Sequence, residues 1–187
     1  MIRKIIRLSI VAVLVLSIAI CFAGCFEKPE PEISVEPAEE ASVSSDNGFT
    51  EATIAKVVDG DTVKVMLDGQ KITIRIIGIN TPESVAEDES RNTEEGRKAS
   101  EYVKELLPVG TKVYIEYDLD DEDQYGRTLA YLWLKGDADP EDYDDFCRYN
   151  VGALIMQNTY CESVYYKPNK KYLDWLRRLE SEYQKQG

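Results

Sequence analysis

D-G-D-T-V-K-V-M-L-D-G-Q-K-I-T-I-R-I-I-G-I-N-T-P-E, residues 59–83, is the stretch whose reading decides the fold. It reads as two short strands joined at Asp68-Gly69, a dipeptide favoured in two-residue hairpins because both positions need φ > 0. Val63, Val65 and Leu67 alternate along one arm, and Ile72, Ile74 and Ile76 along the other. A period of two sends these to one face and leaves Lys64, Thr73 and Arg75 on the other. Asp59 and Asp61 stand before the ribbon and Glu83 after it. Folding back brings those ends together with Arg75 beside them. Acids and an arginine around one point suggest a hard cation and a phosphate.

Outward from the ribbon, order begins near Phe49, and Thr50 to Val58 reads as a strand. After Glu83 a polar run without periodicity reads as a surface loop. Asn92 with Glu95 three residues on resembles a capping box. The helix behind it carries Ala99, Tyr102, Val103, Leu106 and Leu107 on one face and closes at Pro108 and Gly110. Lys112 to Leu119 alternates through Val113, Ile115 and Tyr117 as a fourth strand, and Thr128 to Leu134 is a fifth. An acidic loop follows, then a short helix over Ala153 to Gln157, with Asn158 suited to a left-handed cap. Tyr172, Leu176, Leu179 and Tyr183 mark a last amphipathic helix. Five short strands with three helices inserted late make an α+β domain, a five-stranded OB-fold β-barrel.

The chain has 187 residues, 43% hydrophobic and 30% charged, enough for one globular domain over residues 49–187 plus extras. One extra is the N-terminus. Arg3, Lys4 and Arg7 precede an apolar run from Leu8 to Gly24, the layout of a secretory signal over residues 1–24. Phe22-Ala23-Gly24-Cys25 resembles a lipoprotein processing site, with Cys25 the lipidated first residue, although Phe22 stands where an aliphatic residue is usual. The alternative is an uncleaved anchor, since roughly 17 residues is the lower edge of bilayer-spanning length. Either way the rest of the chain lies on the extracytoplasmic face of the cell membrane, or is partly secreted. Residues 25–48 are rich in Glu, Pro and Ser and form a disordered acidic linker.

Removing residues 1–24 takes away three basic residues and no acid, moving the formal net charge from −13 to −16. Such a chain has no general pull on nucleic acid, so binding one demands a local basic cleft or a metal. Histidine is absent, which excludes a Ser-His or Cys-His nucleophile, a histidine base and a histidine-rich zinc site. Beyond the signal and Cys25, two cysteines remain, Cys147 and Cys161; in an oxidising compartment they read as a disulfide or as two buried thiols.

V-D-G-D-T (58–62), R-I-I-G-I-N-T-P-E (75–83), D-Q-Y-G-R-T-L-A-Y (123–131) and Y-Y-K-P-N (165–169), in this order, resemble the thermonuclease (staphylococcal nuclease-like) family. The similarity runs roughly from Thr50 to Glu182. It implies one Ca²⁺ in the cleft and hydrolysis of DNA and RNA phosphodiesters to 3′-phosphorylated products. Carried across, Asp61, the Thr81 carbonyl and Asn80 bind the metal, Glu83 contacts the attacking water, and Arg75 and Arg127 grip the phosphate. Tyr125, Tyr166 and Lys167 match a substrate-binding rim, an arrangement suited to single-stranded nucleic acid. The chain is expected to act as a monomer.

Three positions depart from the family's pattern. Asn80 stands where other members have an aspartate, Gln124 where they have a basic residue, and Val164 where they have a cleft tyrosine, implying weaker metal and substrate binding. From the residues alone, Asp59 is a turn-former or an outer metal-site acid, and Arg75 a phosphate ligand or a structural partner of Glu83. A non-catalytic nucleic-acid-binding module is the competing class, and an outward component of DNA uptake a third.

Overall fold

The computed structural model describes residues 48–86 and 88–184. The signal, Cys25 and nearly all of the acidic linker lie outside the described residues. Five strands close a barrel in the order β1 (Thr50–Asp59), β2 (Thr62–Leu67), β3 (Gln70–Ile76), β6 (Thr128–Trp133), β5 (Lys112–Glu116) and back to β1. Every pairing is antiparallel except β3 with β6. The hairpin has the expected two-residue turn: Asp68 and Gly69 sit at φ 48° and 74°, and Leu67 pairs with Gln70. Only glycine takes such a φ freely, which leaves Asp68 to tolerate the milder of the two positions.

The strand β1 runs ten residues because it serves two neighbours: Thr50–Thr53 pair with β5 and Thr53–Asp59 with β2. Register shifts between Ile54 and Lys56 and between Val57 and Asp59 bend it, as bulges do in small closed barrels. Ile54, Val63, Val65, Ile74, Ile76, Val113 and Ile115 fill the interior. Helix α1 (Glu94–Leu106) packs against β1, placing Ala99 and Val103 inward. The helices α2 (Tyr143–Tyr149), α3 (Val151–Asn158), which also touches α1, and α4 (Leu173–Tyr183) cover an aromatic cluster of Phe49, Trp133, Phe146, Tyr172 and Trp175. Two two-residue strands, β4 (Ile79–Asn80) and β7 (Glu162–Ser163), pair outside the barrel.

Several expectations need correction. There are four α-helices among the described residues, not three: α2 lies in the stretch read as an acidic loop. Asp142 caps it by accepting from Asp145 N at 2.8 Å, and buried Phe146 anchors it in the aromatic cluster. The cap of α1 is Thr93, which accepts from Gly96 N at 3.0 Å. Asn92 instead ties the preceding loop, accepting from Ala86 N at 2.7 Å. Asn158 is the last residue of α3, and the chain leaves through Thr159 in an extended conformation, without a left-handed cap. Strand β5 stops at Glu116, short of Leu119.

Of the two readings of Cys147 and Cys161, a disulfide or two thiols, the structure has them as free thiols, with only Cys161 fully buried. Cys147 lies on α2 with its thiol beside Tyr143, whereas Cys161 is fully buried next to β4, and α3 separates them in the chain. Burial pushes the Cys161 thiol up to about 12, so it stays protonated and inert.

Candidate nucleic-acid cleft

The turn between β1 and β2 brings Asp59 and Asp61 to the barrel rim. Gly60 is required between them, since a Cβ there would meet Thr81 Oγ1 at 2.7 Å and the Ala99 methyl at 2.9 Å. Asp61 is 7% exposed and held at four points. Thr62 Oγ1 donates to its Oδ1 at 2.9 Å, Thr81 N and Oγ1 donate to its Oδ2 at 3.1 and 3.2 Å, and its carbonyl accepts from Ile76 N. Asp59 accepts from Gly60 N and from the Ser84 hydroxyl, which fastens the loop carrying Glu83.

Arg75 stands across from Thr62 on β3 and is 4% exposed. Its Nη2 pairs with Asp61 Oδ2 at 2.9 Å and donates to Asn80 Oδ1 at 3.1 Å. Its Nη1 donates to the carbonyls of Ile76 and Ile79 at 3.1 and 3.0 Å. The structural ion pair of Arg75 is therefore with Asp61 and not with Glu83. These four contacts, two to carbonyls and two to side chains, fix the orientation of the guanidinium, and Tyr166 backs it with its ring 5.2 Å away.

Arg127 is positioned differently. Asp123, four residues earlier, accepts from Tyr125 N and Arg127 N and from Arg127 Nε at 2.7 Å, and pairs with Nη2 at 2.7 Å. Partial burial works against the charged form of Asp123, but these hydrogen bonds outweigh it and hold its carboxyl below the usual range. With Nε and Nη2 engaged, the Nη1 edge is left for an anion. The ring of Tyr125 lies 5.5 Å from this guanidinium.

Glu83 sits on the loop after β4, its side chain 48% exposed, with a loose contact to Arg91 at 3.8 Å. Its carbonyl accepts from Thr93 N at 2.9 Å, and a Cβ on Gly96 would collide with that carbonyl. The first turn of α1 thus fixes the main chain of Glu83 while leaving its carboxylate in water.

Asp59, Asp61, Arg75, Asn80, Glu83, Arg127 and Tyr166 line one cleft of about 500 Å³. A second cavity, about 370 Å³, shares Arg127 and Tyr166 with it and is lined further by Tyr125, Gln124, Tyr165 and Lys167. Thr81 lies beneath, 5% exposed. Every candidate except Cys25, Cys147 and Cys161 is thus in or under one continuous groove. Sequence reading had not singled out Asp123, Ser84 or Gly96, which position Arg127, Asp59 and Glu83. The D-Q-Y-G-R turn was the available signal for Asp123.

The family described as "Staphylococcal nuclease homologue" matches residues 73–187. The chain is 33% identical over 149 residues to a thermonuclease of Staphylococcus hyicus, covering 80% of this chain and 79% of that one. It is 35% identical over 132 residues to a thermonuclease of Staphylococcus intermedius, covering 71% and 70%. It is 34% identical over 131 residues to endonuclease YncB of Bacillus subtilis, covering 70% of this chain and 56% of that one. The chain belongs to the staphylococcal nuclease family. The barrel closed by β5, the parallel β3–β6 pair and the groove at its rim are therefore read as a staphylococcal-nuclease OB-fold.

Among the described residues, no three acidic, histidine or cysteine side chains converge as a metal group. The donors facing the cleft are nonetheless all oxygens, from Asp59, Asp61, Asn80 and Glu83, a chemistry that suits a hard cation completed by main chain and water.

Proposed function

We propose that this member of the staphylococcal nuclease family is a calcium-dependent nuclease, held outside the cytoplasm through Cys25, that leaves 3′-phosphorylated products. The observation that carries the reading is the single cleft in which two separately anchored arginines face an exposed carboxylate. Asp61, Asn80 and the Thr81 carbonyl would hold the metal. Bound there, Ca²⁺ supplies positive charge beside the phosphate and orients water.

The chain's own residues do the rest. Arg127 presents its Nη1 edge to the phosphate, and Arg75 meets it from the cleft floor, where fixed donors act without reorganising. Glu83 accepts the proton of the attacking water as its oxygen bonds to phosphorus. The bond from phosphorus to the 5′-oxygen breaks, and that oxygen takes a proton from solvent water in the open cleft, giving a 5′-hydroxyl and a 3′-phosphate. Tyr125, Tyr166 and Lys167 support the neighbouring nucleotide in the second cavity.

The test incubates the full chain with single-stranded DNA, with Ca²⁺ or with a chelator. Cleavage that requires Ca²⁺ supports the reading; binding without cleavage in Ca²⁺ replaces it with the binding-module class. Fractionating cells that express the chain checks the tether, and a Cys25→Ser chain that remains in the membrane fraction removes Cys25 as the anchor.

Asn80 links the metal donors to Arg75. An aspartate there adds a charge to the donor set, so Asn80→Asp is expected to lower the half-maximal Ca²⁺ concentration by about three- to tenfold. The same charge grips Arg75 harder and raises KM for nucleic acid. A Ca²⁺ titration that is unchanged, or shifted upward, takes Asn80 out of the coordination shell.

A further inference from the structure

We propose that Lys56 and Lys64 form a phosphate subsite that holds a single-stranded nucleic acid one nucleotide beyond the scissile position; the proposal rests on the nuclease reading above. Lys64 lines the same cleft as Arg75, on the outer face of the hairpin. Thr62 pairs with Arg75 and Lys64 with Thr73, so Lys64 is the diagonal neighbour of Arg75. That places the two about 7–8 Å apart along the ribbon. Such a step matches the reach between neighbouring phosphates of an extended strand.

Across β1 and β2, Lys56 is the direct partner of Lys64. Like charges directly opposite each other destabilise a sheet. Neither lysine has a carboxylate within ion-pair range among the described residues, although acids outnumber bases 35 to 22 in the chain. In so acidic a protein, an unneutralised lysine pair, with Lys64 lining the cleft and Lys56 beside it across the sheet, is a site for anions. The opposite end argues the same way. There Asp120 and Glu122 line the second cavity and offset the charge of Lys167, and Asp123 is paired with Arg127, so what the cavity chiefly offers is tyrosines that accept bases. A bound strand therefore extends its backbone over the lysines and its bases over the tyrosines.

The test measures binding of fluorescent oligothymidylates by the full chain in chelator, over a salt series. A Lys56→Gln/Lys64→Gln chain is compared with wild type and with a Lys98→Gln/Lys104→Gln chain, which makes the same charge change on α1. The cleft variant is expected to lose about tenfold in affinity for an octanucleotide, and much less for a dinucleotide. Its log–log salt slope should become shallower by about 1.4, at roughly 0.7 per phosphate contact on a single strand. The α1 variant and a Lys64→Arg chain should keep the wild-type slope. An unchanged slope in the cleft variant, or an equal loss in the α1 variant, overturns the subsite. Wild type that binds with the lysine-dependent slope yet never cuts in Ca²⁺ supports the subsite and overturns the nuclease reading; wild type that has no affinity in chelator yet cuts in Ca²⁺ overturns the subsite and leaves the nuclease reading standing.

Discussion

Glu83→Gln is expected to lower kcat on single-stranded DNA by about 10²–10⁴, the range for removing a general base. The substitution keeps the side chain's size and removes its ability to take a proton. Little else in the structure depends on that carboxylate. Its contact with Arg91 is 3.8 Å between two groups that are 48% and 63% exposed, a pair that contributes almost nothing to stability. The backbone hydrogen bond from Thr93 to the Glu83 carbonyl and the close approach of Gly96 are unaffected. Melting temperature should therefore stay where it is. Oligonucleotide affinity in chelator should hold or rise slightly, because one negative charge leaves the cleft. A loss of less than tenfold would assign Glu83 to orienting water through a hydrogen bond that the amide still makes. Unaltered kcat would remove it from the mechanism.

The barrel was legible because its signals are local. The Asp68-Gly69 turn sets the β2–β3 register, and strict alternation from Val63 to Ile76 fixes which face is buried, so the placement of Arg75 beside Asp61 follows from pairing alone. Features set by distant contacts were not legible. Asn92 and Thr93 are both good caps, and the choice between them is made by the Glu83 carbonyl, which takes the Thr93 N–H. In Y-D-D-F-C-R-Y the acids look like a solvated loop; the helix is anchored by Phe146, which enters an aromatic cluster assembled from three other segments. Strands as short as β4 and β7 carry no periodicity, yet they hold Asn80 within reach of Arg75. Counting cysteines cannot tell a bridge from two thiols, because the answer lies in where each is packed, Cys147 beside Tyr143 and Cys161 next to β4.

Glu116→Ala should destabilise the fold by about 3–5 kcal/mol, from lost charge-assisted hydrogen bonds and a buried indole N–H left without an acceptor. At the end of β5, Glu116 is 7% exposed and carries the polar contacts of the aromatic cluster. Its Oε2 accepts from Trp133 Nε1 at 2.7 Å, its Oε1 accepts from Lys171 Nζ at 2.7 Å, and the Tyr172 hydroxyl lies 3.0–3.1 Å from both oxygens. Trp133 is wholly buried and Tyr172 is 2% exposed, so neither regains water when the carboxylate goes. Tyr172 keeps Pro140 O as an alternative acceptor at 3.1 Å, and Lys171 keeps Glu141 at 3.3 Å. Trp133 Nε1 has no such second partner among the described residues, and its orphaned N–H sits where the rings of Phe49, Phe146 and Tyr172 converge. Glu116→Gln retains one acceptor oxygen and should cost less, about 1.5–3 kcal/mol for the lost charge-assisted bonds. Urea denaturation separates the two: both variants should lower the midpoint with an unchanged slope, alanine more than glutamine. Equal midpoints for wild type and Glu116→Ala would mean that Lys171 and Tyr172 hold the cluster without the carboxylate. A midpoint that falls equally for both variants would assign the whole effect to charge, and leave the Trp133 hydrogen bond with no share in it.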